Sequence, residues 1–200
     1  MDTITINLEQ KFDITLPCVS SINGVIWFKG SNGIGKTSLL RALSSKFKVK
    51  ATEFLKPKKK NYTQQSTLFF ESTMLSHNES LQKNLNYLNS FVEMDKQMQK
   101  VLFKKLNLTD SILKRKFKKC SPGEKAKFIA VLSLSQSGKE IFYLDEPFEN
   151  IDTSSKLALI EVIQEMFNTD KTLFLSSHQP EIVAQFKNHC LDFDNALNYS

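Results

Sequence analysis

The chain has 200 residues, of which 40% are hydrophobic and 24% charged, as in an ordinary soluble globular protein. Its apolar stretches are only a few residues long, which excludes a transmembrane helix, and its start lacks the basic and apolar segments of a signal peptide. The three cysteines, Cys18, Cys120 and Cys190, have no metal-ligand spacing and fit a reducing cytosol.

The net charge of +6 comes largely from two lysine-rich clusters, at 56–60 and 114–119. Such clusters can bind nucleic acid or anionic lipid headgroups, but they are also common in solvated loops. Neither cluster has the interleaved aromatic residues of a base-stacking surface. We therefore expect no nucleic-acid partner.

The first predicted elements form an N-terminal hairpin. Residues 3–8 alternate like a half-buried strand, and residues 12–16 are typical of its antiparallel neighbour. The apolar residues 25–29 predict a buried strand, and a helix is predicted over 36–47.

Between this strand and helix lies Gly30-Ser31-Asn32-Gly33-Ile34-Gly35-Lys36-Thr37, which matches the phosphate-binding pattern G-x-x-x-x-G-K-[ST]. The glycines let the backbone turn its N–H groups around an anion, and the helix, which includes Ser38, adds the positive end of its dipole. We expect Lys36 to reach the outer phosphates of ATP and the Thr37 hydroxyl to ligate Mg²⁺. The alternative is a glycine-rich turn without a ligand.

The rest of the chain alternates strands and helices. We predict a loop over 56–65, a buried strand over 66–70, a small inserted helical lobe from about 80 to 113, and a helix from about 123. Further elements are predicted at 141–144 (strand), 153–167 (helix), 173–175 (strand) and 180–186 (helix). This order indicates an α/β fold with a mainly parallel sheet and crossover helices.

Two carboxylates follow the strand at 141–144. Because the carboxyl end of a neighbouring parallel strand lies beside the phosphate loop, Asp145 can hold Mg²⁺ through water. Glu146 could orient or deprotonate the attacking water. An exposed acidic turn is the alternative for the two residues alone, and the phosphate loop upstream favours the metal and base roles.

Two weaker motifs decide the family. Ser121 and Glu124 have the spacing of a helix capping box, and His178 could be a structural histidine. Taken with the phosphate loop and the strand carboxylates, however, the set resembles the ATP-binding-cassette (ABC) ATPases, because the motifs occur in that family's order. The segment Cys120-Ser121-Pro122-Gly123-Glu124 keeps the serine, second glycine and acidic position of the family's signature.

The resemblance implies a single P-loop NTPase domain over 1–200, with a core at about 1–71 and 120–200 and a helical subdomain at about 72–119. It also implies a head-to-tail dimer, in which ATP lies between Gly30–Thr37 of one subunit and Ser121–Gly123 of the other. The segment 147–152 is similar to the family's aspartate loop, so Asp152 joins the expected binding residues.

On the family pattern, Glu146 polarises the water and His178 steadies the γ-phosphate. Together with Lys36, these are the expected catalytic residues, and a working ATPase is expected.

The sequence departs from the family pattern in three places. The glutamine expected after strand 66–70 is replaced by Glu71, which we propose as a metal ligand in its place, since Gln64 and Gln65 come too early. The N-terminal hairpin offers only Phe12 to stack on adenine, and Pro122 replaces a small signature residue.

The small size, without a long coiled coil or second cassette, favours a transporter subunit on the cytoplasmic face of the inner membrane, bound to a separate membrane-spanning subunit. The segments 144–148 and 177–180 are similar to the haem-exporter ATP-binding subunit of cytochrome c maturation. Docking is expected through the helical subdomain at about 72–119, with Met74, Leu75, Phe91 and Val92 as candidates. Two alternatives stay open: a soluble cassette ATPase acting on nucleic acid or ribosomes, and a nucleotide-dependent regulatory protein that rarely turns over.

Overall fold

The computed structural model describes residues 3–8, 12–17, 24–44, 66–168, 170–186 and 188–198. The predicted loop at 56–65, with the first basic cluster and both glutamines, lies outside the described residues, as does Cys18.

The chain forms two compact units. The first comprises Met1–Phe69, Lys139–Glu146 and Met166–Ser200, and the second comprises Phe70–Gly138 and Pro147–Glu165. The second unit contains the predicted helical subdomain together with the segments 120–138 and 147–165. The division of the chain at about 71 and 120 stays a prediction.

A four-stranded parallel sheet lies in the first unit. Its strands are β3 (Gly24–Lys29), β4 (Ile141–Asp145), β5 (Thr172–Ser176) and β6 (Asn188–Asp192), in the order β4-β5-β3-β6. β3 and β4 are apolar runs buried at every position but the last, as is typical of parallel strands. The α/β class with a parallel sheet is therefore confirmed. β5 lies between β3 and β4, so Asp145 is two strands away from the strand that precedes the phosphate loop.

The predicted N-terminal hairpin is also confirmed. β1 (Thr3–Leu8) and β2 (Phe12–Pro17) pair antiparallel, with Thr3 opposite Pro17 and Leu8 opposite Phe12. The short strand β7 (Leu197–Asn198) pairs antiparallel with β2 and completes a separate three-stranded sheet.

The described helices, in chain order, are α1 (Lys36–Ser44), α2 (Leu81–Leu88), α3 (Lys96–Lys105), α4 (Asp110–Leu113), α5 (Pro122–Leu134), α6 (Thr153–Phe167), α7 (Pro180–Val183) and α8 (Phe193–Ala196). Within the described ranges, 3₁₀ turns span Ser72–Met74 and Phe117–Lys119. The apolar period of the lobe is borne out in α2, where Leu81, Leu85 and Leu88 are all buried. No described helix is both long enough and apolar enough to cross a bilayer.

The predicted strand over 66–70 is wrong. Ser66 makes a single parallel bridge to Ile141, and the Thr67 N–H donates to the Ile141 carbonyl at 2.8 Å, after which the segment leaves the ladder. Phe69 and Phe70 are both buried, at 6% and 2% exposure. The apolar run therefore reflects burial and not strand pairing. Periodicity alone cannot distinguish these two causes of an apolar run.

Candidate functional site

The loop between β3 and α1 owes its shape to two glycines. Gly33 and Gly35 have φ angles of 82° and 107°, in the left-handed region that side chains with a Cβ avoid. A Cβ on Gly33 would meet nothing within 4 Å, so conformation rather than crowding requires glycine there. Helix α1 begins directly afterwards, at Lys36, and its first N–H groups have no acceptor within the helix.

Lys36 is held inside this loop. Its side chain is buried, and its ammonium donates to the carbonyls of Gly30 at 2.7 Å and Ser31 at 3.0 Å. A buried ammonium needs such partners, because desolvation without hydrogen bonds is costly. The first two residues of the predicted loop therefore position the cation.

Thr37 and Asp145 are brought together at the carboxyl edge of the sheet. The Thr37 hydroxyl donates to Asp145 Oδ2 at 2.6 Å, and the Ser176 hydroxyl donates to Asp145 Oδ1. The β4–β5 register, which pairs Asp145 with Ser176, explains the second contact. Both of these donors are neutral hydroxyls, so neither brings a positive charge to the carboxyl group. A hydroxyl beside a carboxylate is an oxygen donor set that fits Mg²⁺.

Glu146 and His178 form the second pair at this edge. Glu146 Oε2 lies 3.0 Å from His178 Nδ1 and accepts the backbone N–H of His178 at 3.3 Å. Glu146 has a φ of 44°, and its N–H donates to the Ser176 carbonyl at 3.2 Å and to the Ser176 hydroxyl at 3.0 Å. A left-handed non-glycine residue costs about 1–3 kcal/mol and persists only where its surroundings fix it. The turn after β4 therefore holds the glutamate toward the histidine that follows β5.

Lys36, Thr37, Asp145 and Glu146 line a pocket of about 200 Å³, whereas His178 is not part of its lining. Its lining residues are Asn32, Gly33, Gly35, Lys36, Thr37, Ser38, Asp145 and Glu146. Pockets for whole small ligands run to about 300–1,000 Å³, so this one has the size for the phosphate groups of a larger ligand. The predicted binding residues Gly30, Ser31 and Ile34 are not part of this lining.

The other predicted binding residues lie in the second unit. The Ser121 hydroxyl accepts the Glu124 N–H at 3.1 Å, and Glu124 Oε2 accepts the Ser121 N–H at 2.9 Å. This is the capping box at the start of α5. The capping interpretation of Ser121 is thereby confirmed, and its contact with ATP stays a prediction.

Gly123 is required by close packing. A Cβ at this position would lie 2.3 Å from the carbonyl oxygen of Asn150, well inside van der Waals contact. Asn150 itself has a φ of 59°, a conformation that asparagine tolerates better than most residues. The signature glycine and the predicted aspartate loop therefore touch through their backbones.

Asp152 is bound by its own neighbours. Lys127 donates to Asp152 Oδ2 at 2.5 Å, and Ser154 and the Ser155 N–H donate to Oδ1 at 2.6 and 2.9 Å. The Lys127 hydrogen bond, followed by those from the two serines, holds the pKa of the Asp152 carboxyl well below its usual range. Sequence reasoning missed Lys127, although a lysine beside Phe128 on an apolar helix was a usable signal.

The predicted roles of Glu71 and Phe12, like those of the other site residues, stay predictions. Glu71 lies in the second unit, directly before the 3₁₀ turn at Ser72–Met74, whereas Thr37 and Asp145 lie in the first. Its part in metal binding stays a prediction. Phe12 is in β2, but its side chain is not among those described, so adenine stacking also stays a prediction.

A glycine loop between a parallel strand and a helix, with an acidic strand end beside its threonine, defines a P-loop nucleotide-binding protein. The sequence model of the family described as ABC transporter matches residues 22–149, which is more than half of the chain. This chain belongs to the ABC transporter family and contains that family's ATPase domain.

Relatives within the family have varied names. The chain is 27% identical over 103 residues to the manganese transport system ATP-binding protein MntB of Halalkalibacterium halodurans, covering 52% of this chain and 40% of MntB. It is 26% identical over 200 residues to ModF, an ABC transporter ATP-binding protein of Escherichia coli, covering 91% of this chain and 39% of ModF. The chain thus spans less than half the length of these two relatives.

A third relative matches over most of its own length. The cytochrome c biogenesis ATP-binding export protein CcmA of Zymomonas mobilis is 29% identical over 168 residues, covering 82% of this chain and 70% of CcmA.

Solved structures show the same fold. A cobalt transport ATP-binding protein (cbiO-2) superposes with a TM-score of 0.68 at 22% identity, covering 96% of this chain and 74% of that one. An archaeal ribosome recycling factor, in complex with a ribosomal stalk protein, superposes at 0.61 and 16% identity, covering 96% and 37%. The P-loop NTPase fold is therefore shared by proteins with different names.

Proposed function

We propose that this chain is the ATP-binding and ATP-hydrolysing subunit of an ABC transporter and powers a separate membrane-spanning subunit. One observation carries the proposal. The phosphate loop with its lysine, the Thr37–Asp145 contact and the Glu146–His178 pair all converge at the carboxyl edge of one parallel sheet. That edge is where ligands bind in open α/β sheets.

Each group has a part in the proposed reaction. Lys36 and the loop amides bind the phosphates of ATP, and Thr37 and Asp145 would hold Mg²⁺. When bound, Mg²⁺ neutralises charge that develops on the β- and γ-phosphates. Glu146 orients the attacking water and accepts its proton, and His178, held by the Glu146 carboxylate, steadies the γ-phosphate.

The same proposal gives the second unit a role toward another cassette. Ser121, Gly123 and Asp152 complete the site of a second ABC subunit, and we take a second copy of this chain as that subunit. Glu71 is proposed to link the metal site to the membrane partner. The support for these assignments is the family membership and the match of these residues to its motifs.

Docking onto the membrane subunit is proposed for the helical subdomain, which places the chain on the cytoplasmic face of the cell membrane. Met74 and Phe91 are 53% and 58% exposed and remain candidates, whereas Leu75 and Val92 are buried at 5% and 7% and are withdrawn. Tyr87, at 69% exposure, packs edge-to-face on Phe91 with ring centroids 4.9 Å apart and joins the candidates.

The narrower proposal is a haem exporter of cytochrome c biogenesis. It rests on the CcmA relative, which is aligned over 70% of its own length, compared with 40% for MntB. Cells that lack this protein should then lose haem-stained c-type cytochromes while manganese uptake is unchanged. Loss of manganese uptake with normal cytochromes would leave the transporter assignment and remove the haem assignment.

Affinity purification tests the broader proposal. Purification of the Glu146→Gln variant from detergent-solubilised membranes with MgATP should recover a multi-span membrane protein. Ribosomes or nucleic acid that survive a moderate-salt wash, with no membrane protein present, would contradict it, since unspecific phosphate contacts weaken steeply with salt. That outcome would favour the soluble ATPase.

A further inference from the structure

Asp194, near the end of the described chain, bonds directly to the phosphate loop. One of its carboxylate oxygens, Oδ1, accepts both the backbone N–H of Ser31 at 3.2 Å and the Ser31 hydroxyl at 2.9 Å. Asp194 belongs to α8, which directly follows β6. Sequence reasoning predicted neither element, since residues 188–192 lack the apolar run that marks the other parallel strands.

The same short segment also binds the strand that leads into the loop. Asp192 pairs with Lys29 in the β3–β6 register, and the Lys29 ammonium donates to Asp192 Oδ2 at 2.9 Å. Asp192 Oδ1 accepts the N–H of Asp194 at 3.1 Å. Lys29 and Ser31, the residues on both sides of Gly30, are therefore hydrogen-bonded to the turn formed by residues 192–194.

Phe193 fills the space between these two attachments. It is fully buried, and its ring centroid lies 5.3 Å from that of Phe28. A Cβ added at Gly30 would lie 3.0 Å from the Phe193 Cβ and 3.1 Å from Ile34 Cγ2. Gly30 therefore packs closely against this turn, and the first residues of the loop have little room to shift.

Ser31 connects Asp194 to Lys36, the cation of the phosphate loop. Its N–H is held by Asp194, and its carbonyl accepts the Lys36 ammonium at 3.0 Å. The Ser31 N–H and the Gly30 carbonyl belong to one peptide group, so if that group rotated, the carbonyl that accepts Lys36 at 2.7 Å would move with it. We propose that Asp194 is a positioning residue for nucleotide binding, which fixes Ser31 and, through Ser31, the ammonium of Lys36.

The charge and the hydrogen bonds of Asp194 act in opposite directions. A carboxylate beside a phosphate site repels phosphates, although the exposure of Asp194 and salt weaken this effect. Its hydrogen bonds hold the loop in shape and favour binding. An asparagine at 194 keeps an acceptor oxygen and removes the charge, whereas an alanine removes both, so the two variants separate the effects.

The inference rests on the proposed ATP-binding function and is tested on the full chain with MgATP. Asp194→Ala should raise the Kd, and the KM of hydrolysis, about three- to tenfold, as for the loss of one or two hydrogen bonds. Its kcat should stay within about twofold, because the Glu146–His178 pair is untouched. Asp194→Asn should stay within about twofold of the parent in Kd.

A double-mutant cycle identifies the contact. Ser31→Ala removes only the hydroxyl bond, and it should raise the Kd in the parent but have no further effect in the Asp194→Ala background. Asp170→Ala removes another exposed carboxylate of the first unit, before β5, and serves as the matched control with an unchanged Kd.

Three results would overturn the assignment: an unchanged Kd in Asp194→Ala, an equal rise in Asp194→Asn, or additive effects in the cycle. Melting curves of each variant show whether it is folded, and if Asp194→Ala is unfolded, Asp194→Asn and Ser31→Ala still decide the matter. Lys36→Ala separates a failure of the proposed ATP-binding function from a failure of the positioning role of Asp194. If that variant binds ATP as the parent does, the proposed function fails, and if it loses ATP while Asp194→Ala does not, only the positioning role fails.

Discussion

Glu146 and His178 are joined twice through one atom, since Oε2 of the glutamate lies 3.0 Å from the imidazole Nδ1 and accepts the histidine backbone N–H. The carboxylate thus fixes both the ring and the main chain of the residue that follows β5.

The first prediction concerns hydrolysis. Glu146→Gln should keep MgATP binding but reduce kcat by at least about 100-fold, because the amide keeps the shape and cannot accept a proton. Single-turnover and nucleotide-binding measurements separate the two effects. The variant should also form a dimer with MgATP in size measurements, and a persistent monomer at high protein concentration would count against the two-cassette site.

The second prediction separates the two roles of Ser121. Ser121→Ala should lower the free energy of unfolding by about 1 kcal/mol, through loss of the cap, whereas Ser121→Asn keeps a capping oxygen and should cost less than about 0.5 kcal/mol. If Ser121 also contacts ATP, Ser121→Asn should still reduce hydrolysis. Full activity in a stable Ser121→Asn variant would limit this residue to capping.

The third prediction concerns Gly123. Gly123→Ala should lower the free energy of unfolding by about 1–3 kcal/mol, because its methyl group would overlap the Asn150 carbonyl. Gly138→Ala is the control, because the φ of Gly138 is 62° and its surroundings are open. Only the cost of holding an alanine in the left-handed backbone conformation, about 1 kcal/mol, applies there. Equal losses of stability in denaturant titrations would mean that the Asn150 contact relaxes without cost.

The fourth prediction concerns pH. Because the pKa of Asp152 is lowered from its ordinary value of 3.8, its bond to Lys127 contributes stability fully above that value and loses it as the pH falls through the folded-state pKa. The side chain of Asp152 is 52% exposed, so the contribution is about 1 kcal/mol or less. Asp152→Asn should flatten the acid limb of the stability curve below pH 3.8. An unchanged limb would show that other carboxylates dominate it.

The fifth prediction tests Glu71. If it takes the place of the family's glutamine, Glu71→Ala should reduce ATP hydrolysis stimulated by the membrane partner more than basal hydrolysis. Glu71→Gln should restore the stimulation, because it introduces the family's own side chain. Equal losses of basal and stimulated rates, or no loss, would remove Glu71 from the site.

The sequence predicted those parts of the molecule whose chemistry is local. The phosphate loop, the strand before it and the capping box of α5 each depend on neighbours within a few residues, and all were placed correctly. The segment 66–70 was misread because burial and strand pairing leave the same apolar pattern. Lys127 and Asp194 were missed because their partners, Asp152 and Ser31, are distant in sequence, and nothing in a single chain pairs them.

Glu124 connects the basic cluster to the start of α5, because its two carboxylate oxygens bind different residues. Oε2 accepts the Ser121 N–H at the start of α5, while Oε1 accepts the Arg115 guanidinium at 2.5 Å. Arg115 belongs to the basic cluster at 114–119, and its charge is already paired with the Glu124 carboxylate. To bind Arg115, an anionic surface must compete with Glu124, and to bind Lys118 it must compete with Asn78. Such a contact with Arg115 would break the Arg115–Glu124 hydrogen bond and leave the Glu124 carboxylate held only by the Ser121 N–H. Binding of an anion at the cluster would then change the position of the side chain that caps α5 at the signature segment.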